Sequence, residues 1–426
     1  MDYLPRIIDP VLESALRGLP AVAIDGAKAV GKSATAERVA KSILRLDRPE
    51  EVTILRADRD RINRLERPVL IDEWQLDPPI WDAVRRSVDA DRAPGHFILT
   101  GSANPRNTKI HSGAGRIVRM RMRPLSFAER GRAIPTVSLG ALLTGEVGAI
   151  EGETTIGLDH YVDEILASGF PGIRTSDEST HATQLESYLS FALSREVPAL
   201  GAMVRRPKAL EAWLRAYAAA SSSTASFEKV ADAVAKDVRP TRVTIGDYRE
   251  ALSQLWLLDE VPAWVPFGSE LSRLGRAPKH QLADPALAAR LLRASRDTLL
   301  HATTTADRAK AYQRIRKGPL LGALFESLVT LSVRVYAQPV GSAVSHLRTH
   351  SGDHEVDLIV EAPDARVLAI EVKLASDVDD HAVRHLNWLQ NKIGDDLVDR
   401  IIITTGRHAY RRPDGVAVVP LALLGA

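Results

Sequence analysis

The stretch 21–33 of the chain reads AVAIDGAKAVGKS and decides the fold of its N-terminal part. Its first five residues, Ala21–Asp25, are apolar up to the last one, which predicts a short buried strand. Residues 26–33 then fit the pattern G-x-x-x-x-G-K-[ST]. A helical spacing of apolar residues follows at Ala36, Val39, Ala40, Ile43 and Leu44. A strand, a glycine-rich loop and a helix in this order form the setting in which the pattern binds phosphate groups.

The residue types of this loop suit a nucleotide and its magnesium ion. Glycines let backbone N–H groups surround the phosphates, Lys32 reaches the β and γ oxygens, and the Ser33 hydroxyl binds Mg²⁺. A chance glycine-rich turn is the alternative, and the flanking strand and helix weigh against it. The predicted ATP-binding residues are Gly26, Ala27, Lys28, Ala29, Val30, Gly31, Lys32, Ser33 and Ala34.

Two acids follow a second apolar run, Val69–Asp72, about forty residues downstream. Asp72 is predicted to hold Mg²⁺ and Glu73 to orient and deprotonate the attacking water, although two solvated acids at a strand end are the alternative. The next apolar run is followed by Thr100 and Ser102, either of which could hold that water.

Arg116 is predicted to neutralise charge at the γ-phosphate, reaching across to a neighbouring subunit in a homo-oligomer. A surface ion pair is the alternative, because the chain is rich in arginine.

The apolar runs of the first third indicate a parallel α/β sheet, because the segments between them are long enough for crossovers. An alternating pattern over Ile117–Arg123 predicts an edge or late strand. The runs are Ala21–Asp25, Val52–Leu55, Val69–Asp72 and Phe97–Thr100. We assign residues 1–135 to this domain and 136–158 to a linker, because periodicity is weak there.

The middle region, residues 159–300, has helical patterns at Thr183–Leu193 and Lys208–Ala220. Two further helices, Phe227–Ala235 and Thr241–Trp256, precede extended runs at Leu257–Trp264 and Lys279–Ala283. This order predicts a helix-turn-helix with a wing. Arg239, Arg242 and Arg249 could contact DNA, or the module could serve as a packing element.

The last region, residues 301–426, combines helices with strands and carries a spaced set of charges. Asp357, Glu371 and Lys373 form D-x₁₃-E-x-K, the arrangement of restriction-endonuclease-like nucleases, with Glu326 as an extra ligand. Two carboxylates would bind Mg²⁺ and the lysine would stabilise the reacting hydroxide. Outward charges paired across a sheet are the alternative. The predicted elements are helices Leu320–Tyr336 and His381–Gln390 and strands Val344–Thr349, Glu355–Val360, Val367–Lys373, Arg400–Thr404 and Val416–Val419.

Composition limits the classes of protein that fit. A length of 426 residues predicts two to four domains, and 45% apolar with 26% charged residues is typical of globular proteins. The absence of cysteine excludes disulfides and thiolate metal sites and fits a cytoplasmic location. The longest apolar runs fall short of a membrane span, so no membrane partner is expected. A net charge of +2 gives no overall indication of nucleic-acid binding.

Taken together, these motifs resemble the bacterial and archaeal P-loop ATPases of the AAA-like class, whose C-terminal region is a domain of unknown function. The resemblance depends on GAKAVGKS, VLIDEWQLDPPIWDAVRRSVD, FILTGSA and AGRIVRMRMRPLSFAE in the N-terminal third. Further along it depends on Ser168–Pro171, Lys279–Leu287, Phe325-Glu326, Glu355–Asp357 and Ile370–Lys373. Two departures are Lys28, where the family usually has arginine, and Ser194–Glu196, where it usually has Arg-Asp.

The sequence therefore predicts a multidomain α/β and α+β protein: a P-loop parallel sheet, a helical and winged-helix middle and a restriction-endonuclease-like C-terminal domain. The expected function is Mg²⁺-dependent binding and hydrolysis of ATP, coupled to DNA or another nucleic acid. The rival is an ATP-gated module that binds an unidentified protein partner and whose C-terminal fold cleaves nothing.

Overall fold

The computed structural model describes residues 3–103, 113–146, 149–200, 206–265, 277–300 and 317–426. Its N-terminal third is a five-stranded sheet in the order β2-β3-β4-β1-β5, in which every pairing is parallel. The strands are β1 Ala21–Asp25, β2 Ser42–Arg45, β3 Val69–Asp72, β4 Phe97–Gly101 and β5 Ile117–Arg121. The helices are α1 Ile8–Gly18, α2 Lys32–Glu37, α3 Pro49–Ala57 and α4 Pro79–Ala90. The predicted parallel sheet is confirmed.

Two local predictions in this sheet are wrong. Val52–Leu55 lies inside α3 instead of forming a strand. Pro49 at the start of that helix and Glu50 and Glu51 in its first turn favour the helix, which a short apolar run alone does not reveal. The helix after the glycine-rich loop ends at Glu37, and the apolar residues 43 and 44 belong to β2.

The middle of the chain is mostly helical. Two of its helices, Leu158–Ala167 and Pro207–Ala219, both pack against a third, Pro285–Leu291. The elements are β6 Val137–Ser138, α5 Leu139–Thr144, β7 Gly152–Glu153, α6 Leu158–Ala167, α7 Pro171–Arg174, α8 His181–Phe191, α9 Val197–Ala199, α10 Pro207–Ala219, α11 Phe227–Asp232, α12 Arg242–Gln254, α13 Pro285–Leu291 and α14 Arg296–Leu300. A π-helical turn, Ala192–Glu196, joins α8 to α9.

The predicted wing corresponds to two antiparallel bridges, Leu258 with Leu282 and Val261 with Lys279. These bridges follow α11 and α12, which occupy the two helical stretches predicted before them. The winged-helix assignment itself stays a prediction.

The C-terminal region contributes six strands to a seven-stranded sheet in the order β7-β12-β13-β11-β10-β9-β8. Its elements are α15 Lys317–Tyr336, β8 Ala343–Arg348, β9 Glu355–Glu361, β10 Val367–Val372, α16 Arg384–Ile393, β11 Leu397–Thr404, β12 His408–Arg411, β13 Ala417–Pro420 and β14 Leu424–Gly425. Strand β9 pairs antiparallel with β10, and β10 pairs parallel with β11. Strand β12 has no counterpart among the predicted strands.

Residues 136–158, predicted as a linker, carry strands that pair with the C-terminal region. β7 pairs with β12, and β6 pairs with β14. The backbone N–H of Phe127 donates to Ser332 Oγ at 3.0 Å, and that of Ala128 donates to the Tyr336 hydroxyl at 2.9 Å. One apolar core thus contains residues of the N-terminal sheet, the middle helices and the C-terminal sheet. The division of the chain at these boundaries stays a prediction.

Among the described residues, none of the helices combines the length and apolar character that crossing a membrane requires.

Candidate functional site

The glycine-rich loop connects β1 to α2 with a backbone that needs small residues. A Cβ at position 26 would lie 2.2 Å from the carbonyl oxygen of Met122, so only glycine fits there. Gly31, directly before α2, has φ +101°, a conformation that glycine adopts without strain. The loop therefore brings backbone N–H groups and a helix start together, as phosphate binding requires.

Lys32 lies in this loop and is almost fully buried. Its Nζ donates to the carbonyl oxygens of Gly26 and Ala27, each at 2.9 Å. Burial lowers the pKa of Lys32 to about 8, and the charge of Glu73 opposes this shift. The ammonium group is thus held over the loop where phosphate oxygens would lie.

Ser33, Asp72 and Thr100 meet at the carboxyl ends of β3 and β4. The Ser33 hydroxyl donates to Asp72 Oδ1 at 2.7 Å, and the Thr100 hydroxyl donates to the same oxygen. Hydroxyl and carboxylate oxygens are the ligands that Mg²⁺ prefers, so this group fits the ion that accompanies a nucleotide.

Glu73 forms a second group beside the first. Its Oε2 accepts from Ser102 Oγ at 3.1 Å and from Gln75 Nε2. Glu73 has φ +55°, a strained conformation for a residue with a side chain, and such strain concentrates at functional sites. The two polar residues that the sequence left as alternatives therefore contact different acids, Thr100 the first and Ser102 the second.

Lys28 connects the loop to the middle region. Its Nζ lies 3.1 Å from Glu196 Oε1 and 5.0 Å from the centre of the Phe191 ring. The Tyr188 hydroxyl donates to the backbone carbonyl oxygen of Lys28 at 3.3 Å. The two positions that depart from the family pattern are thus paired, and Glu196 ends a π-helical turn, a feature frequent at functional sites.

Arg116 is placed at the surface. Its Nε donates to Asp89 Oδ1 at 2.8 Å, and its side chain is more than a third exposed. This contact is a surface ion pair, the alternative to a role at the γ-phosphate. A role of Arg116 across a subunit interface stays a prediction.

The three arginines predicted to contact DNA each have an acidic partner. Arg239 pairs with Asp232, and Arg242 lies 3.8 Å from Glu228. Arg249 lies 3.3 Å from Glu260, with its guanidinium over the Phe227 ring. These contacts reduce the positive charge that a phosphate backbone would meet.

Two of the carboxylates predicted for a nuclease site, Asp357 and Glu326, contact a lysine together with Glu355. Lys279 Nζ lies 2.8 Å from Asp357 Oδ1, 2.9 Å from Glu326 Oε1 and 3.5 Å from Glu355 Oε1, and its side chain is 1% exposed. We call these four residues the Lys279 cluster. Burial alone would lower the pKa of Lys279. The three acids, Asp357 most strongly, outweigh burial and raise this pKa above its ordinary value.

Glu371 and Lys373 lie beside this cluster. Lys373 Nζ contacts Glu371 Oε2 at 3.0 Å, and Asp357 Oδ2 accepts from the backbone N–H of Val372 at 2.9 Å. Burial, with the charge of Asp357, raises the pKa of Glu371 well above its ordinary value. All four predicted residues thus gather at the β9–β10 pair.

These carboxylates do not fit a divalent cation in this arrangement. An ammonium group holds the central position, and no group of three or more His, Asp or Glu in the described ranges is arranged to bind a metal ion. A metal-dependent nuclease needs open coordination positions at its ion. The prediction of metal-dependent cleavage therefore gains no support from this geometry.

Sequence reasoning missed several site residues because their partners are distant in the chain. The Arg6 guanidinium donates to the carbonyl oxygens of Val30 at 2.8 Å and of Arg123 at 2.6 Å, so it braces the loop. Gln75, next to Glu73, could have been found from its position after the two acids. Lys279 carried no local signal for its role.

Comparisons with known proteins agree with the N-terminal geometry. Residues 19–130 match the family model of an AAA domain, which indicates a P-loop ATPase-like domain. Residues 158–298 match a domain of unknown function (DUF8612), and residues 321–424 match another (DUF4143).

Two mycobacterial proteins are similar over most of their length. The uncharacterized protein Rv2008c of Mycobacterium tuberculosis is 24% identical over 418 residues, 96% of this chain and 82% of the relative. The uncharacterized protein Mb2031c of Mycobacterium bovis has the same values. The similarity extends beyond the AAA domain but assigns no activity to the middle and C-terminal regions.

The Lys279 cluster yields a prediction about stability. Lys279→Met removes the cation from three partly or fully buried carboxylates and should lower the free energy of unfolding by about 3–5 kcal/mol. Chemical denaturation measures it, with Lys392→Met, an exposed lysine on α16, as the control. A loss below about 1 kcal/mol would contradict the assigned role of Lys279.

The same cluster predicts a pH dependence. Burial and the charge of Asp357 raise the pKa of Glu326 from 4.5 to about 8, against the opposing charge of Lys279. The folded chain therefore keeps a proton that the unfolded chain releases, so this stability is present below pH 4.5 and is lost as the pH rises to about 8.

We expect the free energy of unfolding to fall between about pH 5 and pH 8, and Glu326→Gln to reduce that slope. Denaturation at several pH values measures both, with the exposed Glu178→Gln as a control. An unchanged slope in Glu326→Gln would show that this proton is not held in the folded chain.

Proposed function

We propose that this protein binds MgATP at the loop 26–34 and hydrolyses it. The observation that carries the proposal is the grouping of Ser33, Asp72 and Thr100 beside Glu73 and Ser102 at the carboxyl ends of β3 and β4, next to the loop. Open α/β sheets bind ligands at this edge. The match of residues 19–130 to an AAA domain supports the same assignment.

The chain's own residues divide the work of phosphoryl transfer. Backbone N–H groups of the loop and Lys32 bind the phosphate oxygens. Glu73, held by Ser102 and Gln75, orients a water molecule and accepts its proton as the water attacks the γ-phosphorus. The bond from the γ-phosphorus to the β–γ bridging oxygen breaks, and ADP leaves. Ser33 and Asp72 would hold Mg²⁺, whose charge offsets the negative charge that develops on the phosphate oxygens.

We further propose that the C-terminal region serves as a protein-interaction part and cleaves nothing. Lys279 occupies Asp357 and Glu326, Lys373 occupies Glu371, and the three arginines of the middle region each have an acidic partner. These observations favour the ATP-gated interaction module over coupling to DNA. Retention on DNA that weakens steeply with salt, or Mg²⁺-dependent cleavage of DNA lost in Lys373→Ala, would favour coupling to DNA instead.

The nucleotide site predicts two variants that fail in different ways. Lys32→Ala should abolish MgATP binding, since it removes the phosphate contact. Glu73→Gln should bind MgATP but hydrolyse it about a hundredfold more slowly, since it loses only the base. Binding by calorimetry and phosphate release measure the two effects.

The exposed pair Lys41 and Glu66 offers matched controls, and Lys41→Ala and Glu66→Gln should leave both properties unchanged. Hydrolysis at the wild-type rate by Glu73→Gln would show that the base is misassigned.

Arg116 yields a prediction about assembly. If it acts on the nucleotide of a neighbouring subunit, mixing inactive Arg116→Ala with inactive Lys32→Ala chains should restore part of the hydrolysis rate. The absence of rescue, together with a monomeric active protein, would leave Arg116 as the partner of Asp89 alone.

A further inference from the structure

Arg121 is the last residue of β5, the edge strand of the N-terminal sheet. It lies opposite Asp25 in the parallel pairing with β1, and Asp25 directly precedes the glycine-rich loop. The backbone N–H of Met122 donates to the carbonyl oxygen of Asp25 at 2.7 Å, which fixes the end of β5 against the start of the loop. Arg121 is therefore positioned beside the nucleotide site by the sheet itself.

The guanidinium of Arg121 is poorly satisfied. Its Nη1 is buried and has no hydrogen-bond partner among the residues the structure describes. Its Nη2 makes a long contact of 3.4 Å to the carbonyl oxygen of Trp256 and lies 3.9 Å from Asp259 Oδ1. The group stacks on the Trp256 ring, 3.8 Å from its centre. Buried polar groups are usually bonded, so this donor is free to bind a ligand.

The charges around Arg121 are unbalanced. Arg123 binds Asp259 through two nitrogens, at 2.6 and 3.3 Å, and Arg334 lies 3.3 Å from the same carboxylate. Three guanidinium groups thus surround the Asp259 carboxylate, and Asp25, which also pairs with Arg119, is the other acid near Arg121. Burial lowers the pKa of Arg121 to about 9; Asp259 and Asp25 oppose the shift, whereas Arg123 and Arg334 add to it. An anion at this place would relieve the surplus of positive charge.

The missing anion lies in the direction of the loop. Arg121 is paired opposite Asp25, the residue directly before the loop, so the loop begins beside it. Its charge also adds to the lowering of the Lys32 pKa, after burial and against Glu73. The neighbouring arginines are already engaged: Arg119 of the same strand with Asp25 at 2.6 Å, and Arg123, two residues beyond its end, with Asp259. Arg121 is the member of this strand whose guanidinium retains an unused buried donor.

We infer that Arg121 binds a phosphate oxygen of the nucleotide held by the same chain, leaving the Trp256 ring to do so. This inference rests on the proposed binding of MgATP at residues 26–34. Its ligand class is the anionic phosphate chain, because a planar guanidinium with a free donor matches phosphate geometry. Trp256 belongs to the middle region, so the move reports nucleotide binding to that region.

The test measures MgATP affinity by calorimetry in three variants of the full chain. Arg121→Gln should weaken binding about 10- to 100-fold, since a charge-assisted hydrogen bond is lost. Arg121→Lys keeps the charge but not the planar guanidinium, so its affinity for MgATP should lie between those of Arg121→Gln and the wild type.

Arg334→Gln is the matched control, because it removes a buried guanidinium from the same carboxylate. It should stay within about threefold of the wild type. An equal loss in Arg334→Gln would assign the effect to the whole group that Asp259 forms with Arg121, Arg123 and Arg334, and would overturn the inference.

Failure of the inference and of the proposed function can be told apart. If the wild type binds MgATP and Arg121→Gln binds it equally well, the inference is wrong and the proposed function stands. If the wild type does not bind MgATP, the proposed function fails and the inference fails with it.

A second measurement does not depend on the folding of any Arg121 variant. Departure of the guanidinium from the Trp256 ring should change the tryptophan emission of the wild type when MgATP is added. Because the chain has six tryptophans, the part of the change that comes from Trp256 should be lost in Trp256→Phe. An emission change of the same size in Trp256→Phe would show that Trp256 does not respond to the nucleotide and would contradict departure of Arg121 from its ring.

Discussion

Buried charge needs an opposite charge nearby, and this constraint determines where the sites of this protein lie. The buried ammonium of Lys279 has three carboxyl groups within 3.5 Å, so it finds its acceptors within the chain. The buried ammonium of Lys32 has only two carbonyl oxygens as hydrogen-bond acceptors among the described residues. Lys279 in the C-terminal region therefore has acidic partners within the chain. Lys32 in the N-terminal sheet has hydrogen-bond acceptors without charge, and a bound anion would supply the missing partner.

Sequence could predict which residues gather at the proposed nucleotide site because its parts are local. The loop 26–33 directly follows the buried strand β1, and Asp72 and Glu73 lie at the end of the buried strand β3. Each set of functional residues is therefore only a few positions from its strand. In a parallel sheet the carboxyl ends of such strands meet at one edge, so adjacency follows from topology. The contacts of Asp72 with Ser33 and Thr100 agree with that expectation. The parallel order of the sheet was predictable for the same reason.

The remaining contacts could not be predicted, because they join residues far apart in the chain. Lys279 meets Glu326 and Asp357 across 47 and 78 positions, and no local pattern marks it as their partner. The spacing of Asp357, Glu371 and Lys373 is compatible with a metal site and with a site filled by an ammonium group. Likewise, β7 pairs with β12 across more than 250 positions, so the weak periodicity before residue 158 could not reveal a strand.

Backbone hydrogen bonds join the segment around Asp259 to the segment around Lys279. The N–H of Asp259 donates to the carbonyl oxygen of Gln281 at 2.9 Å, and that of Val261 donates to Lys279 at 3.0 Å. The segment that carries Trp256 and Asp259 is therefore paired with the segment that carries Lys279. Since Lys279 is fixed among carboxylates of α15 and β9, this pairing anchors the middle region to the C-terminal sheet. A change at Arg121 would therefore act on a segment held at its far end, which favours displacement of the segment as a unit over local unfolding.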